Sequence, residues 1–244
     1  MTFVHGSKSR VYIKGIHASG YVKSLGADST IDKAETTNLL SAGKEYIPGQ
    51  FDGTVSLDGY FDGNGALDTA TFSYALEALK GVTTQTTYLP QGDTFGAGGY
   101  GIQGFYTKDS IKTNTSDAGS IALEVQSSVG LERGLVEHVL GAETTSGTGT
   151  SIDNGALLSP STNGAAAYLQ VTALSGTGTP SVTAIIEHST TGAVWATLLS
   201  FTLQSTVGSQ RVAVTGTVNR YTRCSWTIAG TGPSVTFSVL FARK

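Results

Sequence analysis

Residues 52–65 read DGTVSLDGYFDGNG, three Asp-Gly pairs in fourteen residues, which is either a calcium loop or a strand bounded by turns. A calcium loop needs about six to eight oxygen ligands at fixed offsets. Starting such a loop at Asp58 puts Asp62 at position 5 and Gly63 at position 6, but Tyr60 then falls at position 3 and Thr69 at position 12. Two ligand positions fail, including the bidentate acid. The stacked nonapeptide calcium repeat is missing as well. The strand reading fits: Val55, Leu57 and Gly59 alternate with Thr54, Ser56 and Asp58, and Asp-Gly supplies turn chemistry at both ends.

Working outward, LDTATFSYALEALKG, residues 67–81, places Leu67, Thr71, Phe72, Ala75, Leu76 and Leu79 at helical spacing. Asp68 is the candidate N-cap and Gly81 the stop. Strands are expected in SRVYIKG and SGYVKSL before the opening stretch, and in VTTQTTYL, GYGIQGFYT, GSIALEVQSS and GLERGLVEH after the helix. The polar run from Asp28 to Gly49 shows no period, so it is expected to be a mobile loop that only a partner orders. One helix on a curling sheet predicts a barrel-like or sandwich unit.

The charge balance changes along the chain. Residues 1–150 carry 10 Lys/Arg and 16 Asp/Glu, whereas residues 151–244 carry 5 and 2. The change falls on GAETTSGTGTSIDNG, residues 141–155, small, polar and without hydrophobic period. This predicts a domain over 1–146, a flexible linker over 147–155 and a second domain over 156–244, each domain folding alone. The second domain holds six candidate strands at short intervals and no helical pattern, which predicts an antiparallel β-sandwich. The class expected for the whole chain is mainly β.

With 32 glycines, 14% charged and 39% hydrophobic residues, the chain has enough apolar surface for a core. MTFVHGSKSR lacks an apolar targeting core and nothing approaches a membrane-spanning run, so a chain made and kept in the cytoplasm unless it leaves inside an assembly, without membrane insertion, is expected. The single cysteine, Cys224, alternates with Trp226 and Ile228 as a core residue does.

Catalytic signatures are weak. GYGIQG, residues 99–104, matches a pyrophosphate fingerprint in letters, but it runs into β-like FYTKDSIKT where the mechanism needs a helix N-terminus. His5, His17, His138 and His188 lie too far apart for zinc spacing. No catalytic residue, metal or cofactor is expected. Arg211, Arg220 and Arg223 are expected on a solvated strand face with a salt bridge or an aromatic stack.

The segment KAETTNLLSAGKEYIPGQFDGTVSLDGYFD resembles the tail tube proteins, or major tail proteins, of long-tailed bacteriophages. The resemblance is carried by Glu45, Pro48 and Gly49, by Asp52 to Ser56, and by Gly59 to Asp62, and it runs in order through GSIALEVQSSVGLERG. The second half resembles the β-sandwich modules of phage virion proteins. The family implies a structural protein of the virion tail, assembled in the host cytoplasm into stacked hexameric rings whose barrel passes double-stranded DNA. Tape-measure, tail-tip and tail-terminator proteins would be its partners, and the second domain would decorate the outside. On that reading Asp28, Asp32, Glu35, Lys44, Glu45, Tyr46 and Pro48 belong to a ring-stacking loop, while Asp58, Asp93, Asp109, Glu124 and Glu132 are candidates for an acidic lumen. The alternative is a virion surface protein whose second domain binds host glycans on Trp195, Tyr168 and Tyr221.

Overall fold

The structure is a computed structural model and describes residues 6–62, 72–155 and 161–244. It is mainly antiparallel β. In order the elements are β1 (Arg10–Ile13), β2 (Ile16–His17), β3 (Val22–Glu35), β4 (Tyr46–Tyr60), α1 (Phe72–Glu77), β5 (Thr84–Leu89), β6 (Gly98–Lys112) and β7 (Ser120–Glu143). There follow β8 (Gly147–Thr148), β9 (Ile152–Asp153), β10 (Ala165–Ser189), β11 (Ala196–Ser200), β12 (Gly208–Val214) and β13 (Tyr221–Arg243). The predicted start of the helix, Asp68 included, lies outside the described residues. The helix ends at Glu77, earlier than the expected stop, and turns follow as far as Gly81, which adopts a left-handed conformation.

The opening stretch is a strand, but its glycines do something other than turn the chain. Val55 and Leu57 are buried and Asp58 is exposed, as the alternation predicts. Asp52-Gly53 and Asp58-Gly59 sit inside β4. A Cβ on Gly53 would meet Leu131 at 2.8 Å, and one on Gly59 would meet the Tyr21 carbonyl at 2.5 Å. Lack of room demands glycine here. The third pair reaches Gly63, outside the described residues.

The contacts divide the chain elsewhere than at residue 146. One unit comprises Met1–Gly20, Thr84–Gly101 and Glu132–Lys244; the other, inserted into it in two pieces, comprises Tyr21–Thr83 and Ile102–Leu131.

In the host unit β13 is the hub. It pairs with β10 along nearly its full length, with β7 from Leu135 to Glu143, and with β8 and β9. The β10–β13 ladder shifts register near residues 171–181, and its two ends carry different neighbours: β12 pairs with residues 165–171 of β10 and β11 with residues 185–188. Leu169 and Val171 share one core with Val182, Ile186, Cys224 and Phe237, so the long ladder folds its apolar face onto itself as a sandwich. Buried Gln170 bonds this sandwich to the N-terminal strands: its Oε1 accepts from Gly15 N at 2.9 Å, and its Nε2 donates to Gln85 O at 3.0 Å and Thr87 Oγ1 at 3.2 Å.

The expected linker is stitched down. Gly149 N donates to Cys224 O at 2.8 Å, Trp226 Nε1 donates to Thr145 O at 3.1 Å, and Arg220 holds both carboxylate oxygens of Asp153. A polar, glycine-rich stretch is flexible only when its backbone lacks a partner, and here β13 is that partner.

In the inserted unit β4 pairs with β3 on one side and β7 on the other. One face of these strands buries Val55, Leu57, Ile121, Leu123 and Val125, and Phe72 and Leu76 of α1 are buried as well. Tyr21 stacks on Phe72 with ring centroids 4.4 Å apart.

Candidate functional site: an arm, an acidic face and an end cleft

The run from Asp28 to Gly49 is a paired hairpin arm, not a loop without structure. β3 and β4 stay in register out to Glu35 opposite Tyr46, and Thr36 N donates to Glu45 O at 2.8 Å beyond them. The tip is a tight turn built by Asn38: its Oδ1 accepts from Leu40 N at 2.9 Å and its carbonyl from Ser41 N at 3.0 Å. This turn holds Leu39 and Leu40 out, fully exposed.

Pro48 and Gly49 lie at one irregularity. Ile31 faces Phe51 and Lys33 faces Pro48, so two residues of β4 stand against Asp32 alone. Those two are Gly49 and Gln50; Pro48, opposite Lys33, lies where β4 has a neighbour on one side only, β7 pairing from Thr54 onward, and an edge position tolerates a proline without an N–H. A Cβ on Gly49 would lie 3.0 Å from the Cβ of Asp32. The remaining residues expected in the stacking loop are all exposed on the arm. Lys44 pairs with Glu35 at 3.4 Å, and the Lys33 ammonium lies 4.8 Å from the Tyr46 ring centre.

The arm is apolar where a free ribbon should be polar. Phe51 is 72% exposed although it lies on the β4 face that buries Val55 and Leu57. Ile31, its cross-strand partner, is 50% exposed, and Ile47 past the bulge is 55% exposed. Burying such side chains stabilises by roughly 1.5–3 kcal/mol each, so a partner that covered the arm would gain apolar burial. Sequence reasoning missed Ile31, Leu39, Leu40 and Phe51. The local signal was present in NLL at 38–40 and in QF at 50–51, apolar residues in a run otherwise read as polar.

The opposite face of the same strands is acidic. Register places Asp28, Thr54 and Gln126 side by side, then Ser56 with Glu124, then Ser24 with Asp58. Asp52 shares this face, accepting from its neighbour Gly53 N at 2.7 Å and from Gln126. Ser24 Oγ donates to Asp58 at 3.2 Å, and Thr107 Oγ1 donates to Glu124 at 3.1 Å. Of the candidate lumen acids, then, Asp58 and Glu124 lie together, with Asp28 and Asp52 added. Asp109 is tied to Lys80 at 2.9 Å.

Asp93 and Glu132 serve the fold of the host unit instead. Asp93 accepts from Tyr12 Oη at 2.8 Å and Leu140 N at 2.7 Å. Glu132, 8% exposed, is held by Arg211, Lys244 and Tyr168. Burial alone would raise its carboxyl, but these hydrogen bonds hold it below the ordinary glutamate value.

At the end of the inserted unit away from the arm lies a cleft of 960 Å³, lined by Lys23, Tyr60, Ile111, Lys112, Asp117 and their neighbours. Tyr60 and Ile111 are each 51% exposed. Lys23 and Lys112 make no hydrogen bond or ion pair among the described residues.

The other motifs find structural employment. GYGIQG lies inside β6, where a Cβ on Gly101 would fall 2.3 Å from the Tyr168 ring. Arg211, Arg220 and Arg223 each hold a carboxylate and lie over an aromatic ring. Tyr168 is wholly buried and cannot join a glycan platform with Trp195 and Tyr221. Among the described residues no three His, Cys, Asp or Glu side chains cluster as metal ligands, and no helix is long and apolar enough to cross a membrane.

No protein-family model and no curated protein matches the chain. Among solved structures it is similar to a chain in the virion of a native gene transfer agent particle, at 15% identity and TM-score 0.40, over 53% of this chain and 97% of that one. It is similar to the tail tube of SPP1 at 11% identity and TM-score 0.41, over 54% and 78%. It is also similar to the SPP1 Dit protein, a hub of the adsorption apparatus in phages infecting Gram-positive hosts, at 10% identity and TM-score 0.40, over 96% and 99%. At such identities and TM-scores these likenesses carry no functional argument.

Proposed function

We propose that the chain is a structural, non-enzymatic subunit of a bacteriophage tail tube, assembling with copies of itself into stacked rings of six. The observation that carries self-assembly is the arm, whose apolar side chains Leu39 and Leu40 are held outward by a built turn and have no cover among the described residues. A second feature supports it: among the described residues β3 pairs with β4 alone, leaving a free edge of 14 residues. Long free edges are templates for pairing with another chain. The resemblance of residues 33–62 to tail tube proteins supplies the kind of assembly and its count of six.

On this reading the inserted unit forms the tube wall, with the face of Asp28, Asp52, Asp58 and Glu124 toward the channel. Duplex DNA carries one phosphate charge per roughly 1.7 Å, and cationic contacts bind it through counterion release. An acidic wall repels it weakly over a Debye length of about 8 Å at physiological salt, so DNA slides without sticking. Tape-measure, tail-tip and tail-terminator proteins are the partners this role requires.

Electron microscopy and sedimentation of the purified full chain test the reading. Rings or tubes are expected. A protein that stays monomeric at every concentration, with tail-tip proteins added as well, overturns it. Where tubes form, Asp58→Lys with Glu124→Lys should leave them intact and slow DNA passage in a salt-dependent manner; unchanged passage removes the acidic channel.

A further inference from the structure

Glu137 holds an irregular position in β7. Val239 of β13 faces His138 and Leu240 faces Val136, so Glu137 falls between them with no residue opposite. A bulge of this kind re-aims a side chain. The Glu137 side chain is buried, and its two oxygens are served unequally. Oε1 accepts from Thr222 Oγ1 at 2.6 Å, whereas Oε2 has no hydrogen-bond partner among the described residues. With its one proton given to Glu137, the Thr222 hydroxyl accepts from Asn154 Nδ2 at 3.1 Å. Hydrogen bonds therefore run in one direction, from Asn154 through Thr222 to a buried acid.

Asn154 ends a strap, residues 145–154, that covers the outer edge of β13. Its short strands lie opposite Ser225 and Trp226 and opposite Tyr221 and Thr222. None of residues 145–154 is buried, so the strap is held by a few backbone and side-chain bonds and opens at lower cost than the sandwich core. Charged and titratable groups surround the acid. From β13 the charge of Arg243 acts on it, although the terminal nitrogens of Arg243 are occupied by Asn219 O and Val218 O, each at 2.7 Å. The Cys224 thiol, also on β13, is pushed up by burial and by Glu137 itself. On the strap Asp153 is held by Arg220, on β10 Glu187 is held by Arg223, and on β7 His138 directs its ring nitrogens to Phe237 O and Glu143. None of these groups donates to Oε2.

We propose that Glu137 is a proton-operated latch on this strap: protonated, it lets residues 145–154 close over β13, and ionised, it drives them open so that water reaches the carboxylate. A charged oxygen buried without a donor is costly, and opening the strap hydrates it. Burial pushes the carboxyl up to about 7 in the closed state, whereas a hydrated glutamate ionises near about 4.3. Opening therefore becomes easier as pH rises between those two values, by up to about tenfold per pH unit, and levels off above the higher one, where both states are ionised. Opening uncovers the edge of β13 from Tyr221 to Trp226.

Hydrogen exchange of the full-length chain tests this, read by mass spectrometry from pH 5 to pH 9 on peptides covering residues 144–155 and β5, and corrected for the intrinsic pH dependence of exchange. The strap should exchange faster than β5 at every pH, with protection that falls up to about pH 7 and is level beyond it. In Glu137→Gln the strap profile should be flat, with protection at least tenfold above the wild type at pH 8. A wild-type profile without a break, or the same slope in Glu137→Gln, overturns the latch. Strap protection equal to that of β5 overturns it too, because the proton then acts on global unfolding alone. If Glu137→Gln does not fold, the wild-type profile still decides, and Thr222→Val gives a second reading. There Asn154 loses its acceptor, so the strap opens more at pH 5, and the charged form of Glu137 loses its donor, so the break moves to higher pH. A break that stays in place in Thr222→Val removes the connection between strap and acid.

Discussion

Arg211 grips Glu132 at two points, Nε donating to Oε2 at 2.8 Å and Nη2 to Oε1 at 2.6 Å, although 79 residues separate them. Tyr168 Oη donates to the same Oε2 at 2.5 Å, and the Lys244 ammonium lies 2.8 Å from Oε1. Arg211→Ala leaves a buried carboxylate short of its main partner, and the expected loss is about 3–5 kcal/mol of stability. Glu132→Leu, Arg211→Met and Tyr168→Phe together should recover most of it, since the desolvation cost leaves with the charges. Urea midpoints of the two variants decide.

The pH dependence of stability has contributions of opposite sign. Glu132 is depressed, so its stabilisation is present above the ordinary glutamate value of about 4.3 and is lost as pH falls through the lower folded value. Glu137 runs the other way. Burial pushes its carboxyl up to about 7, against the hydrogen bond from Thr222 and the charge of Arg243. The folded chain keeps this proton while the unfolded chain loses it, so stability falls as pH rises from about 4.3 to 7. Glu137→Gln should flatten that slope and raise stability at pH 7.5 by an amount on the order of 3 kcal/mol. Urea unfolding at pH 5 and pH 7.5 reads both effects.

Replacing Leu39, Leu40 and Phe51 by serine removes apolar surface that the single chain does not bury. The urea midpoint should barely move, within about 0.5 kcal/mol per site as for other surface changes. The concentration needed for assembly should rise at least tenfold. A large fall in the midpoint, or assembly at the original concentration, contradicts the role given to the arm.

Truncation after Ser146 separates β1, β5 and β7 from β10 and β13. The fragment should keep hydrogen-exchange protection in residues 21–62 and 102–131 and lose it in β1 and β5. Full protection of β1 in the fragment would mean that the division at residue 146 is the physical one.

The core half of β4 was legible because Val55 and Leu57 are buried on one face only, which writes a period of two into the sequence. Twenty residues upstream the same strand pair left no trace. Both faces of the arm are exposed, its order comes from backbone pairing, and the bulge at Asp32 breaks what alternation remains. Backbone pairing hid the anchoring of residues 147–153 for the same reason. The arginines were legible as paired residues, yet the choice of Glu132 for Arg211 depends on contacts across the fold. Of the acidic face, Asp58 and Glu124 could be proposed from charge, whereas Asp28 and Asp52 join it only through the register of β3 and β4.

The nesting of one unit inside the other sets an order of events on the ribosome. Every strand of the inserted unit has been made once Leu131 has been added, whereas the host unit waits for β13, which is complete only at Arg243. At ~5–20 residues per second, that interval lasts roughly 6–20 s. During it the arm is finished and adhesive while the subunit around it is incomplete, so neighbouring chains on one messenger could meet by their arms too early. The late closure of β13 makes speed of synthesis, and shielding of the arm during it, a condition for ordered assembly.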